Sequence, residues 1–353
     1  MDVSTHTVPT ERPESDGTLE WDATTIVVVQ VHYAGAAALG YTYGDRAIRT
    51  LVESKLVPVL ERRDPLDVPG AWRAMQRAVR NEGPFGLAQY AIAAVDIALW
   101  DLKARLVEVP LARLLGAVRD AIPAYASGGF TSLSTDELCE QLGGWVEGGF
   151  AMVKMKVGRD PHADPARVAR ARVAIGSDAR LFVDANGAYD AERALELGER
   201  FAEHGVSWYE EPVSSDDLDG LRMLRERLPE GIDVAAGEYG TDVAYFERML
   251  EAVDTVQADL TRCGGVTGML RVGALCEAAG KPLSAHCAPQ ASAHVCCALD
   301  SAVHLEYFHD HARIEGMLFD GALEPVEGEL RPDDSRPGLG IELRRADARR
   351  WAA

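Results

Sequence analysis

The chain has 353 residues, of which 47% are hydrophobic and 26% are charged, and its formal net charge is -20. These proportions exclude the disordered and fibrous classes, and the length suffices for a barrel-sized core with a second, smaller domain. A strongly negative protein repels nucleic acid and anionic membranes, so we expect neither as a partner. Local cations would have to hold an anionic small-molecule substrate.

The N-terminus and the cysteines bear on the cellular compartment. The chain does not start with a basic segment followed by an apolar run, and it has no apolar stretch of the roughly 18 residues that a membrane span needs. The six cysteines show no CxxC spacing, and Cys296 and Cys297 are adjacent, which favours reduced thiols in a core. We therefore predict a cytoplasmic protein.

The first part of the chain predicts a small α+β domain over residues 1–120. Thr24 to Tyr33 is a β-branched run typical of a strand, and an amphipathic helix is predicted over Asp45 to Leu60. The segment from Tyr90 to Lys103 is apolar on nearly every side, which predicts a buried helix. Strands precede helices here, as in α+β domains.

From Ile122 onward, short apolar runs alternate with helix-length segments, which is typical of a parallel sheet with crossover helices. One helix begins with the capping box Ser134 to Glu137, and the last begins near Ala291. Residues 121–325 would form this α/β domain, and we expect the tail, residues 326–353, to pack on the first domain rather than extend the barrel. The eight predicted strands are Ile122–Ala126, Ala151–Lys156, Arg180–Asp184, Ser207–Glu210, Asp233–Ala236, Thr255–Asp259, Pro282–Ala285 and Val303–Glu306.

Ionisable side chains stand at the ends of these strands, mostly 20 to 30 residues apart, which is the length of one βα unit. In a closed parallel barrel the C-terminal ends of all strands meet at one mouth, so these side chains would share one site. They are Lys154, Lys156, Asp184, Glu210, Glu238, Asp259, His286 and Glu306.

Three of these residues, Asp184, Glu210 and Glu238, each follow an apolar strand. Each alone would be an ordinary loop acid. Three carboxylates in one mouth cannot all stay ionised without a cation, and a ligand set made of oxygen atoms favours Mg²⁺. Together they predict one Mg²⁺ site per subunit.

The remaining charges suggest acid–base chemistry. Lys154 and Lys156 share one face of their strand, where like charge and partial desolvation lower a lysine pKa, unless both are simply solvated. Asp259 would orient the His286 ring on the adjacent strand end and leave one nitrogen as acid or base, although a structural histidine is the alternative. Glu306 would either donate a hydrogen bond to substrate, if its pKa is raised, or form a salt bridge.

The ordered series of motifs resembles the enolase superfamily and, within it, the mandelate racemase-like subgroup. The resemblance spans nearly the whole chain and implies a (β/α)7β barrel, TIM-like, with an α+β capping domain made from both ends of the chain. The motifs are AAVDIALWDLKAR at Ala93 to Arg105, VKMK at Val153 to Lys156, VDANG at Val183 to Gly187, YEEP at Tyr209 to Pro212, AGE at Ala236 to Glu238, QADLTRCGGVTG at Gln257 to Gly268, SAH at Ser284 to His286 and HLE at His304 to Glu306.

The resemblance also implies a chemistry: a divalent metal binds the substrate carboxylate, a base removes the α-proton, and the metal stabilises the enediolate. It implies that Asp184, Glu210 and Glu238 ligate the metal and that Lys156 is one base. Lys154 would bind the substrate carboxylate and lower the pKa of Lys156. His286, oriented by Asp259, would be the acid or base on the opposite face of the α-carbon, and Glu306 would form a hydrogen bond to the carboxylate.

The residue at the end of the sixth strand distinguishes branches of this family. The muconate-lactonising and dipeptide-epimerase branch is expected to carry a lysine there, whereas this chain has Asp259 and no lysine between Leu250 and Lys281. Within the mandelate racemase-like branch, two bases permit racemisation or epimerisation of a 2-hydroxy acid. They equally permit dehydration of an aldonate or aldarate to a 2-keto-3-deoxy acid, which we favour by analogy with the subgroup.

Specificity is expected to come from the capping domain. The stretch Pro9 to Trp21 and the loop Gly40 to Asp45 would close over the mouth and exclude water. Tyr41 and Tyr43 carry hydroxyls suited to a polyol, although both could be packing residues, and Asn186 is a further candidate for substrate contact. We also predict a homo-oligomer.

Other classes fit the sequence less well. A nucleotide-dependent enzyme is disfavoured because neither GxGxxG nor GxxxxGK occurs. A glycosidase barrel would need two carboxylates across a sugar and would leave the lysine pair unexplained. A non-catalytic metal-binding scaffold would be expected to have lost a base or a ligand, and none is missing.

Overall fold

The computed structural model describes residues 1–61 and 63–353 and begins with an antiparallel sheet of three strands in the order β1-β2-β3. The helix predicted over Asp45 to Leu60 is helical but interrupted by a π-helical turn at Val52–Leu56. The elements of this first domain are β1 Asp2–Ser15, β2 Glu20–Tyr33, β3 Ala36–Tyr43, α1 Ala47–Leu51, α2 Val57–Leu60, α3 Val68–Ala78, α4 Leu87–Leu106 and α5 Leu111–Leu114.

Eight parallel strands form a closed barrel, because the last strand pairs with the first through Leu305 opposite Ala124. Seven helices separate the strands, so the predicted (β/α)7β barrel with an α+β capping domain is confirmed. The strands are β4 Ile122–Ser127, β5 Met152–Lys156, β6 Arg180–Asp184, β7 Val206–Glu210, β8 Asp233–Ala236, β9 Thr255–Asp259, β10 Leu283–His286 and β11 Ala302–Phe308. The helices are α6 Thr135–Glu147, α7 Asp164–Ile175, α8 Ala191–Ala202, α9 Leu218–Arg227, α10 Val243–Ala252, α11 Gly265–Ala278 and α12 Pro289–Cys296.

Helix α4 lies between the sheet and the barrel, which explains why it is apolar on nearly every side. It packs on β3 and on α11. At its centre, the buried Asp96 accepts hydrogen bonds from the backbone N–H and the hydroxyl of Thr267, 2.8 and 2.7 Å away. One hydrophobic cluster spans the two domains, and a second lies within the first domain.

The C-terminal tail contacts both domains. The N–H of Leu111 donates to Gly338, and that of Ala353 donates to Thr5, as expected for a tail that packs on the first domain. Glu329 and Leu330 pair instead with the first barrel strand, so that piece does extend the barrel sheet, contrary to the prediction. The last elements are α13 His309–Leu318, β12 Phe319–Asp320, β13 Glu329–Leu330, β14 Glu342–Leu343 and α14 Arg345–Ala348.

The structure bears on the pairing of the cysteines and on whether any helix could span a membrane. All six cysteines are unpaired, as predicted, and all except Cys139 are buried. Among the helices of the described residues, none is both long and apolar enough to cross a membrane.

Asp101 on α4 joins the sheet, the tail and the helix, and its loss should destabilise the whole fold. Its Oδ1 accepts a hydrogen bond from the N–H of Leu339, and its Oδ2 accepts one from the N–H of Leu39 and pairs with Arg105 at 2.9 Å. Asp101→Asn removes the charge and turns one acceptor into a donor. Urea unfolding should show a loss of about 3–5 kcal/mol, the usual cost of breaking a buried ion pair.

The matched control is Asp120→Asn. Asp120 pairs with Arg113 at the surface, where both side chains are about half exposed, so a change of about 0–1 kcal/mol is expected. Equal losses in the two variants would contradict the assigned role of Asp101.

Candidate active site

Two lysines on β5 enter the barrel mouth from one side, as their strand positions predict. The Lys154 ammonium lies 2.6 Å from Glu210, 2.8 Å from Glu306 and 3.4 Å from Asp184. Lys156 pairs with Asp184. Lys154 is fully buried and Lys156 is only 5% exposed, so neither is one of the solvated lysines considered as an alternative.

The predicted metal ligands follow three consecutive strands and all are buried: Asp184 and Glu210 are the last residues of β6 and β7, and Glu238 lies two residues after β8. Their oxygen atoms do not all come within 4.8 Å of one another, because lysines pair with the first two and His286 approaches the third. One oxygen, Oε2 of Glu238, is buried without a hydrogen bond of good geometry among the described residues. Three hard oxygen donors, one of them unsatisfied, fit Mg²⁺.

A histidine and a carboxylate face the lysines from the other side. Nδ1 of His286 lies 2.7 Å from Oδ2 of Asp259, the contact predicted for adjacent strand ends. That contact fixes the orientation of the ring and leaves Nε2 directed toward Glu238, 3.0 Å away, and Glu306, 3.4 Å away. The ring can therefore act on a group placed between it and the lysines.

The charges of the site depend on one another. Burial would lower the pKa of His286, but the acidic groups Cys287, Glu238 and Glu306 raise it well above its usual value. Burial and the Asp184 charge raise the pKa of Glu210 to about 8. The imidazolium form of His286 is therefore favoured.

Lys154 lowers the pKa of Lys156, as predicted, but the predicted net lowering of the lysine pKa values is wrong. Burial lowers the pKa of Lys154 and Lys156, but the carboxylates outweigh burial and hold both lysines charged. Asp184 dominates at Lys156, while Glu210 and Glu306 dominate at Lys154. A neutral Lys156 therefore requires that a cation draw Asp184 away from it.

Glu306 forms the salt bridge that was considered for it. Burial would raise its pKa, but Lys154 and His286 hold the pKa well below its usual range. Its Oε1 also accepts a hydrogen bond from the hydroxyl of Ser127. An ionised Glu306 cannot donate a hydrogen bond. The predicted alternative, in which Glu306 has a raised pKa and donates a hydrogen bond to substrate, is therefore wrong.

Two site residues were missed by sequence reasoning. The guanidinium of Arg262 lies 3.0 Å from Glu238 and 3.3 Å from Asp259, and it packs over the ring of Tyr239. Cys287 places its thiol against His286. Both lie in turns that follow a strand, and the ends of those two strands had already supplied one candidate each, Asp259 and His286.

The stretch Pro9 to Trp21 is a β-hairpin rather than an irregular loop, and its tip lies against the barrel mouth. A Cβ atom at Gly17 would come within 2.5 Å of the carbonyl oxygen of Ala185 and 2.7 Å of that of Val157. The hydroxyl of Thr131 donates to the carbonyl of Asp16. The hairpin therefore covers the loops that follow β5 and β6.

The predicted loop Gly40 to Asp45 is mostly the end of β3, and its tyrosines face the interior. Tyr41 is fully buried and donates to Glu315 at 2.6 Å. Tyr43 stacks on His311 with a ring separation of 3.4 Å. The polyol-binding role considered for Tyr41 and Tyr43 does not fit this burial, whereas the packing role does.

Asn186, the further candidate for substrate contact, follows β6 in a left-handed conformation, with φ of 48°. Its N–H donates to Oδ1 of Asp184, while its own side-chain oxygen is buried without a partner among the described residues. An unsatisfied amide oxygen beside the proposed ligands is placed to accept a hydrogen bond from a hydroxyl.

Two family models together match most of the chain. Residues 137–348 match the enolase C-terminal domain-like family. Residues 2–116 match the N-terminal domain of mandelate racemase and muconate lactonizing enzyme. The predicted resemblance is confirmed.

Similar proteins include both dehydratases and racemases. L-talarate/galactarate dehydratase of Salmonella typhimurium is 33% identical over 324 residues, which cover 90% of this chain and 79% of the relative. A solved mandelate racemase/muconate lactonizing enzyme-like protein from Rubrobacter xylanophilus has 55% identity and a TM-score of 0.99, covering 100% of this chain and 98% of its own. A racemase from Streptomyces coelicolor, solved with bound magnesium, has 29% identity and a TM-score of 0.94, covering 100% and 99%.

Proposed function

Because the chain belongs to the mandelate racemase and muconate lactonizing enzyme family, we propose that it dehydrates an acid sugar, an aldonate or aldarate, to a 2-keto-3-deoxy acid. The observation that carries this proposal is Glu306, which Lys154 contacts at 2.8 Å and His286 at 3.4 Å. The lysine side and the histidine side of the site thus meet at one carboxylate.

Asp184, Glu210 and Glu238 would hold one Mg²⁺, which supplies positive charge for the substrate carboxylate and for the negative charge that develops during proton removal. The unsatisfied oxygen of Glu238 supports this assignment. Lys154 stays charged and contributes a second positive group for the carboxylate. Glu306 and the hydroxyl of Ser127 hold Lys154 in place.

The two acid–base groups divide the proton transfers. Neutral Lys156 takes the proton from the α-carbon, and the electron pair of that C–H bond forms the double bond to the β-carbon as the 3-hydroxyl leaves. His286 gives its Nε2 proton to that hydroxyl, which departs as water. The enol product then takes a solvent proton at carbon 3, loses the proton of its enol hydroxyl to solvent, and becomes the keto acid.

Asp259 keeps His286 in the tautomer that this role needs, because it occupies Nδ1. The near-complete burial of the charged groups strengthens their interactions with a bound carboxylate. Asn186 would accept a hydrogen bond from a substrate hydroxyl. The hairpin over the mouth would exclude water during the reaction.

Racemisation or epimerisation of a 2-hydroxy acid is the second candidate, because Lys156 and His286 would serve equally as bases on opposite faces. The similar racemase from Streptomyces coelicolor supports it. In that reaction the proton removed on one side is replaced on the other, and no water is lost.

A panel of aldonic, aldaric and 2-hydroxy acids, each incubated with the enzyme and Mg²⁺, tests the proposal. We expect a 2-keto acid from at least one sugar acid and no product in the presence of a chelator. Stereochemical inversion without a keto product would favour the second candidate. Conversion that continues in chelator would contradict both.

A further inference from the structure

The turn after β10 holds a side-chain cluster that the proposed reaction does not use in full. Sγ of Cys287 lies 3.3 Å from Nε2 of His286 and 3.3 Å from Oε2 of Glu306. Those two atoms are 3.4 Å apart, so the three donor atoms form a nearly equilateral triangle. All three side chains are buried.

The triangle has the dimensions of one face of a tetrahedral zinc site. Zinc bonds of about 2.0–2.3 Å to nitrogen, oxygen and sulfur place neighbouring ligand atoms about 3.3–3.6 Å apart. The separations between the atoms of His286, Cys287 and Glu306 fall at the lower end of that range. A soft sulfur donor next to an imidazole selects Zn²⁺ or a similar cation rather than Mg²⁺.

Each of the outer ligands is already oriented by a further contact. Asp259 holds Nδ1 of His286, so Nε2 can offer its lone pair to a metal once its proton has left, as in the carboxylate–histidine pairs of zinc proteins. Lys154 and Ser127 hold Oε1 of Glu306, which leaves Oε2 directed at the cluster. No rotation of either side chain is needed to receive an ion.

A fourth oxygen points at the same place. Oε2 of Glu238 lies 3.0 Å from Nε2 of His286 and has no hydrogen bond of good geometry among the described residues. Glu238 itself is 3% exposed. Glu238 belongs to the proposed Mg²⁺ ligands, so the two sites would be neighbours, and the cluster would bind its own ion through His286, Cys287 and Glu306.

The backbone of the turn is strained in a way that directs the thiol into the mouth. Cys287 and Ala288 both have positive φ, 53° and 45°. Such conformations cost about 1–2 kcal/mol per residue for amino acids other than glycine. The hydroxyl of Ser292 donates to the carbonyl of Cys287 and helps to hold the turn.

We propose that His286, Cys287 and Glu306 form an inhibitory site for Zn²⁺ or a cation of similar softness, next to but distinct from the Mg²⁺ carboxylates Asp184, Glu210 and Glu238. Binding displaces two protons to solvent, one from the thiol of Cys287 and one from Nε2 of His286. The ion occupies Nε2 of His286, so that the ring can neither give nor accept a proton. The loss of activity rests on the proposed function, whereas the binding does not.

Cadmium provides a test of binding that needs no substrate. Titration of the full chain with Cd²⁺ should produce the ultraviolet thiolate-to-cadmium charge-transfer band with one equivalent bound. The band should be lost in Cys287→Ser and in Cys287→Ala, the second variant serving if the first fails to fold. Cys139→Ser, which removes the one cysteine that is not buried, should leave the band in place. A band that persists without Cys287 would overturn the proposal.

Inhibition provides the second test. Zn²⁺ should inhibit the Mg²⁺-dependent reaction. Its inhibition constant, measured relative to each variant's own uninhibited rate, should be at least tenfold higher in Cys287→Ser than in the unmodified protein. Excess Mg²⁺ should not relieve the inhibition. Inhibition that excess Mg²⁺ relieves and that is equal with or without Cys287 would place Zn²⁺ on Asp184, Glu210 and Glu238 and contradict this site. If no substrate is found, the cadmium band still tests whether a soft cation binds at Cys287.

Discussion

Lys156→Ala and His286→Asn should each lower turnover by at least about 10³-fold, within the range that a positioned acid or base contributes. Each variant removes one proton-transfer group and leaves the other. If the groups act on opposite faces of the α-carbon, one of the two variants should still exchange the α-proton with D₂O. Proton NMR of the substrate measures that exchange.

Surface variants control for nonspecific effects on folding. Lys55 pairs with Glu82 at the surface, and His162 is exposed, so Lys55→Ala and His162→Asn should retain full turnover. Loss of exchange in both Lys156→Ala and His286→Asn, with folding and Mg²⁺ binding intact, would end the two-base scheme.

Glu238→Gln should weaken Mg²⁺ binding by ~100-fold or more. Removing a residue that only supports a metal ligand typically weakens metal binding by about 10–100-fold, so a larger loss indicates a direct ligand. The amide has one oxygen and no charge, while Arg262 and His286 remain on either side of it. Isothermal titration with Mg²⁺ measures the change directly.

The exposed Glu277→Gln provides the matched control and should bind Mg²⁺ as the unmodified protein does. Activity should stop in EDTA and return with Mg²⁺. Unchanged Mg²⁺ affinity in Glu238→Gln would remove Glu238 from the proposed ligand set.

The barrel could be predicted from the sequence because buried parallel strands are continuous apolar runs. Each run ends where the chain reaches the mouth, so a charge directly after an apolar run marks both the strand end and the site. That rule placed Asp184, Glu210 and Asp259 at observed strand ends. The capping box at Ser134 could also be predicted from the sequence, because its side-chain contacts are local.

Other features depend on contacts between distant segments. The side of β3 that carries Tyr41 is buried because α13 supplies Glu315, which lies 274 residues further along the chain. Cys287 enters the site because its backbone takes a positive φ that residue type alone does not indicate.

Charge balance was the least predictable property of the site. The lysine pair alone suggests lowered pKa values. The outcome depends on how many carboxylates surround each ammonium, and that number is set by the closure of the barrel. Glu306, on the last strand, reaches Lys154 only because β11 returns to β4.

The most direct test of the central claim is the fate of the α-hydrogen during Mg²⁺-dependent turnover in D₂O, followed by NMR on the first converted acid. Proton abstraction from the α-carbon predicts that this hydrogen is lost from carbon 2. It also predicts that solvent deuterium enters carbon 3 on dehydration or carbon 2 on racemisation. Complete conversion with the original α-hydrogen retained would contradict the account.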